Sequence, residues 1–474
     1  MKNFNDAISN RAKIFTAALC AAIIVLSSST PSDAARHVFL FIGDGMGAAQ
    51  RNAAELYLAG MRLYTGDESP RDSQLVMNSL TANGEIFTDS QSGVTDSAAA
   101  GSALATGRKT TNGTVAMDGA GVEKFDSIAK IARDRGMKVG IVTSAFLEDA
   151  TPAAFYAHAP KRTLHYAIGS QLPGSGFDFF GGGGFRSPTG SDKKSRSVID
   201  IASSKGYRVV TTREGFESLV PGVPAIAISP GVSSGYMPWA IDAHESISLA
   251  EFVRKGIYLL GAGGDAFFMM VEGGKIDLAC HANDAASAIH EVIAFDEAIA
   301  EALAFLSSHP DDTLIVVTSD HETGGMSLSI TPDGGTAFYS AMSRQKGSYA
   351  AFERTLSPKS ASAIDEYLAK ARGFFGEALT ATDGVKRAFA MSATPKNDRP
   401  VKGAEYKKLY ATYDPFTVAC VREMNARAGV TWSTFYHTGK PVPVSAVGAG
   451  AGAFAGAYEN TGIFDRLRNE MSQD

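Results

Sequence analysis

Several groups of residues in this chain have types and spacings that could do chemistry. Asp277 and His281 stand four residues apart, so a helix through them points both side chains to one side. Glu272 lies just upstream, Asp320 and His321 are adjacent, and His437 follows far downstream between glycine and proline. Imidazoles and carboxylates together suit zinc, whereas carboxylates with a hydroxyl suit magnesium. Taken alone, an Asp-x-x-x-His pair is more often a surface pair than a metal site. Ser97 is the candidate nucleophile. It follows Thr95-Asp96 and precedes an alanine-rich run that favours helix. Without further context, Asp96 or Ser97 reads first as a simple helix cap. The same position suits phosphate chemistry, because helix N-terminal amides stabilise an anion and a metal could hold Ser97 as an alkoxide. Arg162 offers a planar fork for two phosphate oxygens.

The elements that must position these residues read as α/β. Apolar runs predict strands at His37–Ile42, Lys138–Thr143, Arg208–Thr211, Ala225–Ile228, Ala266–Val271 and Thr313–Thr318. Helical periodicity covers Asp126–Arg135, Ser248–Leu260 and Asp284–Ser307. Alternation of the two implies a largely parallel sheet with helices on both faces. Asp44, Glu272 and Asp320-His321 then all fall at C-terminal strand ends, the edge where open α/β sheets bind ligands. Gly182-Gly183-Gly184 and the Ser/Lys-rich stretch after it read as an exposed loop. From about 331 to 428 the strand pattern stops, and the segment is polar and helix-prone. It is too long for a plain loop and reads as an inserted cap. Core character returns at Val442-Pro443-Val444.

The chain has 474 residues, with 45% hydrophobic and 20% charged, which excludes long disorder and a polytopic membrane protein. Its net charge of −6 argues against a nucleic-acid binder. Lys2, Arg11 and Lys13 precede an apolar run from Ile14 to Leu26, too short to span a membrane, and then Ser32 and Ala34 at cleavage spacing. Residues 1–34 therefore read as an export signal, the alternative being an uncleaved anchor. Export would leave a mature domain of 35–474, periplasmic or secreted, with no membrane span and a net charge of −7. Cys280 and Cys420 would remain, read as buried thiols rather than a disulfide.

The chain resembles bacterial and animal alkaline phosphatases. The matching stretches are Phe41 to Gly47, Val94 to Ala100, Asp149 to Ala154, His158 to Arg162, Glu272 to His281, Thr318 to Gly325 and His437 to Val444, in family order across nearly the whole mature chain. The resemblance implies hydrolysis of phosphate monoesters through a phosphoserine at Ser97. It implies two zinc ions, one on Asp277, His281 and His437 and one on Asp44, Asp320 and His321. It implies a magnesium on Asp44, Thr151 and Glu272, with Asp149 holding its waters, and an Arg162 phosphate clamp oriented by Asp96. A homodimer is usual in the family, and animal relatives carry a crown-like insert where this chain has its own.

Two departures stand out. Leu278 occupies a position where relatives often carry Lys, His or Trp, and it cannot hold phosphate through water. Weaker phosphate binding and easier product release are expected. Asp149, where others have His, favours magnesium at the third site. Competing readings are a phosphodiesterase or sulfatase of the same superfamily, a non-catalytic phosphate- or metal-binding protein, and a surface protein using the cap. Arg162 and the Thr151/Glu272 set favour monoesters, Ser97 in place of Cys counts against a sulfatase, and the intact Ser97 and zinc-ligand set counts against a non-catalytic protein.

Overall fold

The computed structural model describes residues 34–65, 74–191, 195–242, 246–330, 337–356 and 363–471. The proposed export signal lies outside the described residues except for Ala34. Among the described residues fourteen strands are present: β1 (His37–Ile42), β2 (Ala82–Phe87), β3 (Lys138–Thr143), β4 (Phe179–Gly182), β5 (Arg208–Val210), β6 (Ala225–Ile228), β7 (Phe267–Glu272), β8 (Thr313–Thr318), β9 (Glu322–Thr323), β10 (Ser327–Leu328), β11 (Val430–Thr431), β12 (His437–Thr438), β13 (Val442–Gly448) and β14 (Gly456–Glu459). Ten of them form one sheet in the order β14-β2-β13-β8-β1-β7-β3-β4-β6-β5. Within it β13 runs antiparallel to both its neighbours, and the other pairings are parallel.

Both faces of this sheet are covered, which is why its central strands are apolar throughout. In β1, Phe39 and Phe41 join one core, while Val38, Leu40 and Ile42 join the other. β7 and β8 divide in the same way. The first core takes the helices Leu249–Leu260 and Ala285–Ser308; the second takes Ser97–Thr106, Ile128–Asp134 and Ala150–Tyr156. Ser248 and Glu251 form a capping box, and Asp284 caps the long helix that follows it.

Register decides the site. Ile42 pairs with both Glu272 and Thr318, and Thr143 pairs with Glu272, so four strands end at one level. Asp44, Glu272 and Asp320 consequently emerge together.

β2, β4 and β14 depart from the sequence pattern. β2 (Ala-Asn-Gly-Glu-Ile-Phe) alternates between buried and exposed positions and carries polar residues that mask its periodicity. The expected exposed loop at Gly182-Gly183-Gly184 is instead buried backbone at the end of β4. A Cβ on Gly182, whose φ is +114°, would sit 1.9 Å from the Thr143 carbonyl, and one on Gly183 would sit 1.7 Å from that of Ala145. These glycines permit close backbone approach rather than marking a flexible surface.

Between β10 and β11 the described residues carry helices at Ala337–Met342, Tyr349–Arg354, Ile364–Phe375, Asp383–Ala393, Gly403–Tyr410 and Pro415–Arg427. Phe352, Phe375, Phe389 and Phe416 pack into the first core. The two ends of this segment are clasped by antiparallel pairing of β10 with β11 and of β9 with β12. Cys280 and Cys420 are both buried. No helix among the described residues is long and apolar enough to cross a membrane.

Candidate active site

Ser97 opens a ten-residue helix of small side chains, Ser-Ala-Ala-Ala-Gly-Ser-Ala-Leu-Ala-Thr, that is buried along its whole length. Small residues let it approach the Ala150–Tyr156 helix closely: a Cβ on Gly101 would meet the Thr151 Cα at 3.2 Å. Asp96 caps the Ser97 helix, its carboxylate accepting from the amides of Ala99 (3.0 Å) and Gly113 (3.0 and 3.1 Å). The Ser97 hydroxyl therefore sits at a helix N-terminus, on the sheet edge where the acids emerge.

Two donor clusters converge there: Asp277, His281 and His437, and Asp44, Asp320 and His321. Second partners of the imidazoles settle their tautomers. His281 Nδ1 lies 2.5 Å from the Phe435 carbonyl, and His437 Nδ1 lies 2.8 Å from that of Thr95. Carbonyls only accept, so both Nδ1 atoms carry the proton. In its neutral form each ring then turns a bare Nε2 lone pair inward, the two nitrogens 3.1 Å apart. Asp277 adds a carboxylate 3.2 Å from His281 Nε2 and 3.7 Å from His437 Nε2. Thr323 orders the second cluster. Its hydroxyl donates to Asp277 Oδ1 at 2.5 Å and accepts from His321 Nδ1 at 3.2 Å. His321 Nε2 thereby faces Ser97 Oγ (3.2 Å), Asp320 Oδ2 (3.3 Å) and Asp44 Oδ1 (3.5 Å).

These sets fit divalent cations. Lone pairs at such short separation repel unless a cation or a proton stands between them. Asp44 Oδ1, Asp320 Oδ2 and Glu272 Oε1 are buried without a hydrogen-bond donor, and unpaired buried carboxylate oxygens are strongly unfavourable. The electrostatics agree. Burial, then Asp320, Asp277 and Glu272, push the Asp44 carboxyl well above its ordinary range. Burial and Asp149 push Glu272 up to about 8, and burial and Asp277 push Asp320 up to about 7. Burial alone would raise Asp277 as well, but His281 and His437 outweigh it and hold this carboxyl below its usual range. Burial and the neighbouring His437 lower His321 well below its usual value.

A third set supplies only oxygen. Thr143 donates its hydroxyl to Glu272 Oε2, Glu272 Oε1 is the orphaned atom, and the Thr151 hydroxyl reaches Asp44 Oδ2 at 3.5 Å. Asp149 lies within electrostatic reach of Glu272 and Asp44; its Oδ1 caps the Ala150–Tyr156 helix and receives Arg162 Nη2 at 3.1 Å. Arg162 Nη1 donates to Asp96 Oδ2 at 3.2 Å, so the guanidinium is held between two carboxylates. Burial pulls Arg162 down, but Asp149 and Asp96 outweigh it and raise it above its usual value.

Sequence spacing assigned no role to Thr323, to the carbonyls of Thr95 and Phe435, or to Glu322. Glu322 is a buried carboxylate accepting from Gln50 (2.9 Å), Gly325, Met326 and Thr438, so it ties β9 to β12 beneath His321 and His437. The two rings stack with centroids 3.7 Å apart. Thr323 and Glu322 are sequence neighbours of His321, the one available signal. Backbone carbonyls carry none. Leu278 is half-buried on the Lys275–His281 helix, between Asp277 and His281.

A family model described as alkaline phosphatase matches residues 35–472. Alkaline phosphatase 3 of Bacillus subtilis is 30% identical over 444 residues, covering 91% of this chain and 88% of that protein. The alkaline phosphatase of Escherichia coli is 29% identical over 346 residues, covering 62% and 72%. Among solved structures, the Thermus thermophilus alkaline phosphatase superposes with a TM-score of 0.78 at 27% identity, covering 95% of this chain and 96% of that one. A variant of TAB5 alkaline phosphatase, described with Mg bound in its M3 site, superposes with a TM-score of 0.63 at 26% identity, covering 93% and 98%.

Proposed function

Because the chain belongs to the alkaline phosphatase family, and so hydrolyses phosphate monoesters at a metal site, we propose that it works through a phosphoserine on Ser97. We propose further that Asp277, His281 and His437 hold one zinc ion, that Asp44, Asp320 and His321 hold a second, and that Asp44, Thr151 and Glu272 hold magnesium. Asp149 would hold magnesium's waters. The observation that carries this reading is Ser97 Oγ at a helix N-terminus, 3.2 Å from His321 Nε2 and beside the orphaned Asp44 and Asp320 oxygens. The all-oxygen third set supports magnesium there, as does the magnesium of the TAB5 neighbour.

Bound divalent ions would neutralise the phosphate dianion and acidify hydroxyl and water. The chain's own residues account for the rest. Arg162 keeps its proton and presents its fork to two non-bridging phosphate oxygens, and the paired Asp96 and Asp149 restrict its swing. Amides at the start of the Ser97 helix stabilise negative charge at the reacting group. Ser97 Oγ attacks phosphorus and releases its proton, the ester P–O bond breaks, and the alcohol leaves with its bonding pair and takes up a proton. Water then attacks the phosphoserine from the vacated side, losing a proton as Ser97 Oγ regains one and phosphate departs. His281 and His437 stay fixed by their Nδ1 bonds, so their Nε2 positions need no reorganisation during the reaction.

The basic leader, apolar run and small-residue cleavage spacing support export, and the family habit supports a homodimer. The test compares 4-nitrophenyl phosphate, bis(4-nitrophenyl) phosphate and 4-nitrophenyl sulfate, with and without a chelator, and seeks phosphoryl on the Ser97 peptide by acid quench and mass spectrometry. Monoester preference, chelator sensitivity and a labelled Ser97 are expected. Preference for diester or sulfate, or label on another residue, overturns the proposal.

A further inference from the structure

The loop that leads into Asp149 carries an aromatic ring with its own surroundings. The Phe146 carbonyl accepts the Asp149 amide at 2.9 Å, and Asp149 in turn receives Arg162. Three side chains from three other segments close on the Phe146 ring. His165 meets it edge-on with centroids 5.2 Å apart, Tyr236 meets it edge-on at 5.1 Å, and the Arg186 guanidinium carbon lies 5.6 Å from its centroid.

Glycines bring these segments together. The amide of Gly184 donates to the Gly235 carbonyl at 2.8 Å, and the amide of Leu147 donates to the Gly184 carbonyl at 2.8 Å. A Cβ on Gly235 would sit 2.7 Å from the Phe146 Cβ and 2.9 Å from the Arg186 amide. The buried glycine run after β4 therefore sets Arg186 and Tyr236 against the loop that positions Asp149.

The polar atoms of this cluster lack protein partners. His165 Nδ1 is buried without a hydrogen bond. Among the described residues no carboxylate pairs with Arg186, which is exposed, and the Tyr236 hydroxyl makes no hydrogen bond. The cluster is within electrostatic reach of the phosphate clamp: after burial, Arg186, Asp149 and Arg162 are the charges that act on His165. An exposed, unpaired guanidinium beside an unpaired phenol over an aromatic ring suits an anion with several acceptor oxygens, with the His165 ring packing beneath.

We propose that Arg186 and Tyr236, packed with His165 on the Phe146 ring, form a second anion subsite beside Arg162, selecting phosphate monoesters whose alcohol carries a further phosphate or carboxylate. This rests on the phosphomonoesterase reading, with Arg162 as the primary clamp.

Steady-state kinetics of the metal-loaded full chain test it with three probes. Glycerol 1-phosphate has a single anion, 3-phosphoglycerate adds a carboxylate, and fructose 1,6-bisphosphate adds a phosphate. Arg186→Ala is expected to lower kcat/KM about fivefold to tenfold on the two-anion probes, mainly through KM, and to change glycerol 1-phosphate by less than about twofold. Arg186→Lys should restore most of the difference, and Tyr236→Phe should move the same probes in the same direction. A loss on only one two-anion probe identifies which anion the subsite takes. Equal loss on all probes, or no loss on either two-anion probe, overturns the subsite and leaves the monoesterase intact. A wild-type protein that cleaves none of the three refutes the monoesterase reading and the subsite with it.

Discussion

Replacing Glu272 by Gln tests whether the buried acids are built for cations. In the metal-free chain Glu272 is buried, one carboxylate oxygen receives Thr143 and the other has no donor. Its folded pKa stands at about 8 against an ordinary 4.5. A raised acid binds more protons folded than unfolded, so its stabilising contribution is full below about 4.5 and is lost as pH rises through about 8. At about 1.4 kcal/mol per unit the whole shift corresponds to about 5 kcal/mol, of which about 2 kcal/mol falls between pH 6.5 and 8.5. Asp320, raised to about 7, and His281, raised to about 8 by Asp277 against the pull of burial, act in the same direction in this window. His321 and His437, both lowered, oppose it only below about 6.5. Gln keeps an acceptor for Thr143 and cannot ionise. Urea unfolding of chelator-treated wild type and Glu272→Gln at pH 6.5, 7.5 and 8.5 should show wild type losing about 2 kcal/mol more than the variant. Metal-loaded wild type should lose much less, because bound cations replace the protons. Parallel curves for the two chelated proteins would refute the reasoning.

Ser97→Ala should abolish phosphoryl labelling and lower kcat at least about 10³-fold with an unchanged melting temperature; retained labelling would point to another nucleophile. Asp320→Ala should lose metal from the second cluster, read by elemental analysis, along with nearly all turnover. Arg162→Ala should raise the inhibition constant for inorganic phosphate about tenfold or more, because a bidentate charged contact is lost. Leu278→Lys should lower that constant, since a lysine there could hold phosphate through water; no change would remove the reason given for easy product release.

Much of the site was legible in the sequence because its ligands sit at strand ends or at helical spacing. Asp44, Glu272 and Asp320 follow apolar runs that can only be buried strands, and those runs fall within a residue of β1, β7 and β8. Asp277 and His281 lie on one helix, as their spacing implies. Local pattern does not report pairing between distant segments. It missed β2, whose polar residues hide its place beside β13, and it read the glycines after Phe180 as surface when they are buried against Thr143 and Ala145. The same limit explains why the Asp149–Arg162 contact could not be read from spacing.

What the sequence determined by itself was the kind of chemistry: the donor types, a serine before a helix-forming alanine run, and a sheet whose C-terminal edge collects the acids. Only the tertiary structure decided the orientation of the donors. The Nδ1 bonds of His281 and His437 to the carbonyls of Phe435 and Thr95, and Thr323 between His321 and Asp277, turn three Nε2 atoms inward. Backbone carbonyls have no residue signature, and the β9–β12 pairing that brings His437 to His321 spans a long helical insert. Hydrogen-bond direction and long-range register are properties of the folded chain, and they turn a set of suitable residues into a site.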